Sequence, residues 1–176
     1  DTNGCTNTSI ININEPAVVL TASLTVNNVD CNGNSTGNIS ISVNGGSPGY
    51  NYWWRGPNNY TSFNQNLNGL LSGLYDVVVT DTNGCQIYID TAVTEPAILT
   101  YTYSSINPVC KGVANGSIDL NIIGGTSPYT FNWSNGTTTE DLSNISAGTY
   151  TVMYLDANNC SNTASITITE PEQILS

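Results

Sequence analysis

The chain has 176 residues, and 13 aspartates and glutamates stand against two basic residues, so its formal net charge is −11 at pH 7. This balance argues against partners such as nucleic acid and anionic membranes, because both are bound through clustered Lys and Arg. The sequence has no histidine, which removes Ser-His and Cys-His catalytic pairs and His-ligated zinc, and no apolar run is long enough for membrane insertion.

A short motif opens the chain and recurs twice. It reads DTNGC at 1–5 and 81–85, and DANNC at 156–160, which gives periods of 80 (1 to 81) and 75 (81 to 156) residues. Periods of this length indicate whole domains repeated in tandem. A Glu-Pro pair follows each copy, and we predict that these pairs are the joints, because proline keeps the preceding residue extended and cannot donate to a β-ladder.

The joints define the predicted domain boundaries. One repeat covers 16–95 and another covers 96–170, so adjacent repeats of the same chain are the expected partners of each domain. Residues 1–15 are expected to be the last strand of a truncated preceding repeat, and residues 171–176 the start of the next.

Apolar and aromatic residues alternate with polar ones along both repeats, which predicts β-strands separated by Gly, Asn, Pro and Ser turns. The first repeat is predicted to contain six strands, near 18–27, 37–44, 50–55, 63–67, 74–80 and 86–94. The second is predicted to repeat them near 98–105, 116–123, 129–133, 138–142, 149–155 and 161–169. Short strands at this spacing predict an all-β fold of antiparallel β-sandwiches.

Aromatic residues of the third strand divide between two faces. Tyr50, Tyr52 and Trp54 alternate onto one face and are predicted to enter the core. Trp53 and Arg55 point the other way, so they are candidate ligand-binding residues that would stack on a sugar ring or contact a protein partner. The alternative is that Trp53 packs under the residues near Tyr60 or against a neighbouring repeat.

The cysteines are predicted to form disulfide bonds. If successive strands run antiparallel, the first and fifth connections lie at one end of each sandwich, which pairs Cys31 with Cys85 and Cys110 with Cys160. Cys5 is then left without a partner by the truncation. Disulfides predict a location outside the cytosol. The alternative is a reduced protein with free cysteines.

The recurring motif itself has three interpretations, of which a reactive cysteine is disfavoured because no base or cation stands beside the thiol. In the structural one, Asn83-Gly84 forms the turn of the last hairpin, Asp81 accepts hydrogen bonds from the turn amides, and Asp156 does the same in the next copy. Asn159 replaces glycine there, which indicates left-handed backbone at that position. In the functional interpretation, Asp81 and Asp156 bind calcium, the one cofactor that the sequence suggests.

Taken together, these motifs resemble a known family. The series GG-(S/T)-x-P-Y-x-(Y/F)-x-W, (S/A)-G-x-Y-x-V, D-x-N-(G/N)-C and E-P is similar to the SprB-type repeat of Bacteroidetes cell-surface adhesins, and to the wider PKD and immunoglobulin-like β-sandwich class. In the first repeat the proline of GGSPGYNYWW is shifted by one place.

The resemblance implies a secreted, extracellular protein of the bacterial cell surface, exported by type IX secretion. It would build a filament for gliding motility and attach to an external surface or glycan. Thr91, within Asp90-Thr91-Ala92, resembles an O-glycosylation acceptor of that phylum. An enzyme, such as a glycosidase with two facing carboxylates, is not expected, because the acids recur at turns and joints.

Overall fold

The computed structural model describes residues 3–4, 6–11 and 18–172. In this part of the chain the only helical element is a short 3-10 turn, Pro57–Asn59, and no helix is long and apolar enough to cross a membrane. The strands are β1 (Thr21–Asn27), β2 (Gly37–Asn44), β3 (Asn51–Arg55), β4 (Thr61–Ser62), β5 (Leu67–Leu70), β6 (Gly73–Thr80), β7 (Gln86–Val93), β8 (Thr100–Ile106), β9 (Gly116–Ile123), β10 (Thr130–Trp133), β11 (Leu142–Ile145), β12 (Gly148–Leu155) and β13 (Ser161–Ile168).

These strands form sheets with the orders β1-β2-β5, β4-β3-β6-β7, β11-β9-β8 and β10-β12-β13. The pairs of β3 with β4 and β6, of β9 with β8 and β11, and of β12 with β10 and β13 are all antiparallel. The prediction of an all-β, antiparallel fold is confirmed.

The chain divides into two compact units. The first takes the described residues of 1–25, 39–67 and 74–91, and the second takes those of 26–38, 68–73 and 92–176. The boundaries predicted at the Glu-Pro joints stay a prediction.

In the first unit, β3 and β6 are the paired central strands of the four-stranded sheet. Trp54 is opposite Val77 in the register, and both side chains are fully buried, as is Val79. The period-two alternation that predicted Trp54 as core is confirmed, whereas Tyr50 and Tyr52 are half-buried. Each large apolar side chain that is fully buried contributes about 1.5–3 kcal/mol of transfer free energy.

In the second unit, two three-stranded sheets share one core. Inward-facing residues of β9 and β11 pack with those of β10, β12 and β13. The buried members are Leu99, Ile118, Leu120, Ile122, Trp133, Leu142, Ile145, Val152, Tyr154, Ala164, Ile166 and Ile168. Two sheets packed face to face across one apolar core make a β-sandwich.

The structure corrects one strand in each repeat. The strand predicted at 63–67 is wrong, because β4 ends before that range and β5 begins at its last residue, and the strand predicted at 138–142 is replaced by β11. A tryptophan side chain holds the intervening backbone in each case. Trp54 Nε1 donates to the Asn64 carbonyl, and Trp133 Nε1 donates to that of Thr139, both at 2.9 Å. Each carbonyl lies in a loop and accepts its hydrogen bond from the tryptophan side chain.

Candidate functional site: the aspartate turns and the cysteines

The two aspartate turns, Asp81–Cys85 and Asp156–Cys160, share one backbone conformation. In the first, the Asp81 amide donates to the Cys85 carbonyl and the Gly84 amide donates to the Asp81 carbonyl, both at 3.0 Å. Gly84 has φ 84°, and Asn159, its equivalent, has φ 63°. Both positions are left-handed, the conformation that glycine and asparagine tolerate best. The sequence change from Gly to Asn therefore preserves the turn.

Each aspartate carboxylate is buried and accepts three backbone hydrogen bonds. Oδ1 of Asp81 accepts from the amides of Asn83 at 2.9 Å and Cys85 at 2.8 Å, and Oδ2 accepts from Ser47 at 2.9 Å. The equivalent amides donate to Asp156, all at 2.9 Å; they belong to Thr126, Asn158 and Cys160. Each carboxylate thus caps its own turn and also fixes a second turn. The second turn follows β2 for Asp81 and β9 for Asp156.

The hydrogen bonds stabilise the charged form of Asp81. The amide of Ser47 lowers the pKa of this carboxyl most, and the amides of Cys85 and Asn83 lower it further, while burial acts in the opposite direction. A carboxylate that accepts several amide bonds is held ionised in this way.

The Gly-Gly pair of each repeat is required by this packing. A Cβ on Gly46 would lie 2.8 Å from Oδ2 of Asp81, and one on Gly125 would lie 2.9 Å from Oδ2 of Asp156. Both glycines also have φ 62°. The second turn therefore approaches the carboxylate at a distance that only glycine allows.

Calcium binding at Asp81 and Asp156 gains no support from this geometry. The carboxylate oxygens face amide N–H groups, whose positive ends point toward the position that a cation would take, whereas calcium needs six to eight oxygen ligands. Among the described residues, no group of three or more Cys, Asp or Glu side chains could hold a metal ion.

The cysteines do not form the predicted pairs. The structure joins Cys31 to Cys160, with a Cα–Cα distance of 5.6 Å across 129 residues of sequence. In the described part of the chain, Cys85 is a free, exposed thiol and Cys110 is a free, half-buried one. Cys5 lies outside the described residues. The predictions of Cys31–Cys85 and Cys110–Cys160 are therefore wrong, although an oxidised pair is present.

The reason is that the connections do not alternate ends as predicted. Thr169, which follows β13, donates to Asn107 in the loop of Cys110, whereas Asp156 beside Cys160 is bonded to Thr126, which follows β9. The strand β13 lies between these two ends and has eight residues, or roughly 26 Å at about 3.3 Å per residue. A disulfide requires Cα atoms within about 7 Å.

The directions of β10 and β11 cause this outcome. From the register, β11 runs toward the end of the sandwich where β9 starts, since Ile145 is opposite Gly116. The strand β10 runs in that same direction, because it starts opposite Leu155, at the end of β12, where Asp156 is bonded to Thr126 after β9. The segment between β10 and β11 therefore returns along the sandwich instead of making a hairpin. The prediction assumed a reversal at every connection, and this segment breaks that rule.

The glutamate of each Glu-Pro pair has a second role that was not predicted from the sequence. Oε2 of Glu95 accepts from the Gly33 amide at 2.6 Å, and Oε2 of Glu170 accepts from Gly112 at 2.7 Å. The two glycines occupy the loops of Cys31 and Cys110. The signal was present, because a Cys-x-Gly triplet recurs in phase with Glu-Pro.

Trp53 and Arg55 lie together on an exposed face of the first unit. The guanidinium of Arg55 is 5.2 Å from the centre of the Trp53 ring, and its Nη2 is 2.8 Å from Oδ2 of Asp76. Trp53 remains 46% exposed. Tyr60 packs edge-on against Tyr75 instead, with 5.8 Å between ring centres. The alternative prediction that Trp53 packs under the residues near Tyr60 is therefore wrong.

Thr91 is half-buried within β7, between two exposed residues. The chain's alternation places it on the same side of the strand as the buried Val93. Its use as an O-glycosylation acceptor stays a prediction.

One protein-family model matches the chain. The model described as the SprB repeat matches residues 23–59 and 102–138, one segment in each repeat. No curated protein sequence matches the chain significantly.

Several solved structures resemble the chain at low identity. The C-terminal 282-residue fragment of intimin, in complex with the intimin-binding domain of its translocated receptor, has 16% identity and a TM-score of 0.45, with 88% of this chain and 65% of that one covered. A Dscam structure has 15% identity and a TM-score of 0.38 over 88% of this chain and 47% of that one. The amphioxus IgVJ-C2 molecule has 14% identity and a TM-score of 0.34, over 84% of this chain and 96% of that one. The chain thus spans about half the length of the Dscam chain.

Proposed function

We propose that this chain, which contains two SprB-type repeats, is a structural segment of a large, secreted adhesin of the bacterial cell surface, serving gliding motility and surface attachment. In this proposal the segment is a spacer, and its partners are the adjacent repeats of the same chain. It binds no nucleic acid and inserts into no membrane, and its chemistry is limited to the bonds that hold it folded.

One observation carries this proposal: both repeats use the same motif residues for the same structural bonds. The aspartate turns accept equivalent amides in each copy, and Glu95 and Glu170 accept equivalent glycine amides. The acids that recur with the repeat thus have hydrogen-bonding partners within the fold. A site for catalysis needs titratable groups that are free to act on a substrate.

The disulfide supports an extracellular location. Cys31 and Cys160 are joined, and such bonds persist in oxidising environments outside the cytosol. The acidic composition, with two basic residues in 176, fits a secreted protein that adheres to neither nucleic acid nor anionic lipid.

Labelling of intact cells tests the proposal. Monovalent antibody fragments raised against this chain should label intact cells of the producing bacterium and slow their movement over a surface. Fragments against a cytosolic protein are the control and should label permeabilised cells alone. Labelling by the first reagent that appears only after permeabilisation would refute the extracellular assignment. Labelling without any effect on movement would refute the role in motility and leave the surface location standing.

The exposed aromatic face favours a second candidate function, a carbohydrate- or protein-binding module. Trp53 presents nearly half of its surface, and Tyr88 on β7 is also exposed, at 58%. Arg55 and Asp76 supply charged hydrogen-bonding groups beside the indole. Flat rings with adjacent polar groups are suited to stacking on a sugar.

A glycan panel separates the two functions. If the face binds, the wild-type chain should retain a glycan that Trp53→Ala no longer retains, while Met153→Ala, at an exposed position of the second unit, keeps it. If the segment is a spacer, neither protein should bind any member of the panel.

A further inference from the structure

The bond between Cys31 and Cys160 joins two kinds of local structure. Cys31 lies in the loop after β1, and Cys160 ends an aspartate turn. Beside the disulfide, Nδ2 of Asn158 donates to the Asp30 carbonyl at 2.9 Å. The contact therefore has a covalent part and a hydrogen bond to the main chain.

Each half of this contact occurs a second time in the chain, with its cysteine unbonded. Cys110 lies in the loop after β8, whose Gly112 amide is bonded to Glu170 as Gly33 is to Glu95. Cys85 ends the other aspartate turn, and its thiol is free and exposed. The loop of Cys110 and the turn of Cys85 thus share backbone hydrogen bonds with the loop of Cys31 and the turn of Cys160.

We propose that Cys110 of one copy of this segment forms a disulfide with Cys85 of another copy, so that the loop-to-turn contact is repeated along an array. This rests on the proposed function, in which such segments follow one another in a filament. Asn83 would then donate to the Val109 carbonyl, as Asn158 donates to that of Asp30. The residue before the cysteine is Asp30 in one loop and Val109 in the other. The acceptor is a main-chain carbonyl, so this difference in side chain retains it.

The bond forms by thiol–disulfide exchange with a small-molecule disulfide such as oxidised glutathione. The thiolate of Cys85 attacks the glutathione disulfide and releases one glutathione thiolate. The thiolate of Cys110 then attacks the mixed disulfide and releases the second. Two thiol protons are lost, the two electrons go to glutathione, and one protein disulfide forms.

The experiment uses the full chain with Cys5→Ser, which removes the cysteine outside the described residues. Two variants are made on this background, Cys85→Ser and Cys110→Ser, each with one free thiol. They are incubated alone and as an equal mixture with oxidised and reduced glutathione. Products are counted by non-reducing electrophoresis, and the cross-linked peptides are identified by mass spectrometry.

The mixture should form the Cys85–Cys110 heterodimer, and each variant alone should stay mainly monomeric. If two equally reactive thiols coupled at random, about one half of the dimers would be heterodimers. We expect heterodimers to make up about nine tenths of the dimers, because complementary surfaces raise the rate at which the matched pair forms. Homodimers that form as fast as heterodimers would overturn the proposal, and so would two thiols that stay unreacted in the mixture.

A third result would also overturn it, namely a Cys85–Cys110 bond within one monomer of the Cys5→Ser chain. The outcome is independent of the cellular assay. Heterodimers without surface labelling would refute the proposed function alone, and surface labelling without heterodimers would refute the disulfide alone.

Discussion

The amide of Ser47 donates to Oδ2 of Asp81 at 2.9 Å, across 34 residues of sequence. The same bond joins Thr126 to Asp156 at 2.9 Å. One buried carboxylate thus fixes two turns at once, because its second oxygen accepts from the aspartate turn itself. The recurring motif is therefore a long-range structural contact as well as a local turn.

Replacing Asp156 with Asn should destabilise the protein. The amide group has one acceptor oxygen, and its NH₂ would face amides that now donate to a carboxylate. With a charged acceptor lost and a buried donor left unpaired, we expect a decrease of about 3 kcal/mol in the free energy of unfolding. Urea denaturation followed by circular dichroism measures it. Asp119→Asn, at an exposed position in β9, is the control and should change little; equal effects would contradict the prediction.

The stability should fall at acid pH. The pKa of Asp81 is below its ordinary value of 3.8, chiefly through the Ser47 amide, and that of Asp30 is lowered chiefly by the Thr36 hydroxyl. A carboxyl whose folded pKa is depressed stabilises the fold above its unfolded pKa and loses this contribution as pH falls through that value and then through the folded one. Urea midpoints should therefore stay level from about pH 7 to 5 and fall below about pH 4.

The variant Asp81→Asn provides the check on this assignment. With one depressed carboxyl removed, its stability should fall less steeply between pH 5 and 2 than that of the wild type. A slope equal to the wild-type slope would show that other carboxyls cause the acid loss.

Gly125→Ala should cost more stability than Gly136→Ala. Both glycines are left-handed, with φ 62° and 83°. A Cβ on Gly125 would meet Cδ1 of Leu99 at 2.8 Å and Oδ2 of Asp156 at 2.9 Å, whereas one on Gly136 meets nothing within 4 Å. The control therefore isolates backbone strain, about 1–2 kcal/mol, and Gly125→Ala should add about 1–2 kcal/mol of steric cost to it. Thermal melts of the two variants compare these costs, and the same melting temperature in both would exclude a steric cost from these two contacts.

The cysteine pairing predicts how many thiols react and how far the unfolded chain extends under force. In the monomer of a Cys5→Ser chain, isolated before any oxidation and denatured without reductant, two thiols should react, those of Cys85 and Cys110; the pairing predicted from strand alternation would leave none. Under force, the oxidised chain cannot extend the segment that the disulfide closes, a sequence separation of 129 between Cys31 and Cys160. Reduction should therefore lengthen the unfolded chain by about 45 nm at roughly 3.5 Å per residue. A length that reduction leaves unchanged would contradict the bond.

Features set by near neighbours could be predicted from the sequence. The alternation of Trp53 and Trp54 placed one side chain on the surface and the other in the core, because successive strand residues point to opposite faces. The exchange of Gly84 for Asn159 indicated left-handed backbone, which both residues have.

By itself the sequence determined the repeat, the all-β class and the turn chemistry, because these depend on backbone preferences within a few residues. The tertiary structure alone decided which ends of the strands meet. The segment between β10 and β11 returns along the sandwich, so Cys110 and Cys160 lie at opposite ends, and Cys31 is bonded to Cys160 instead. A cysteine's partner depends on the direction of every intervening strand, and local preferences do not encode that direction.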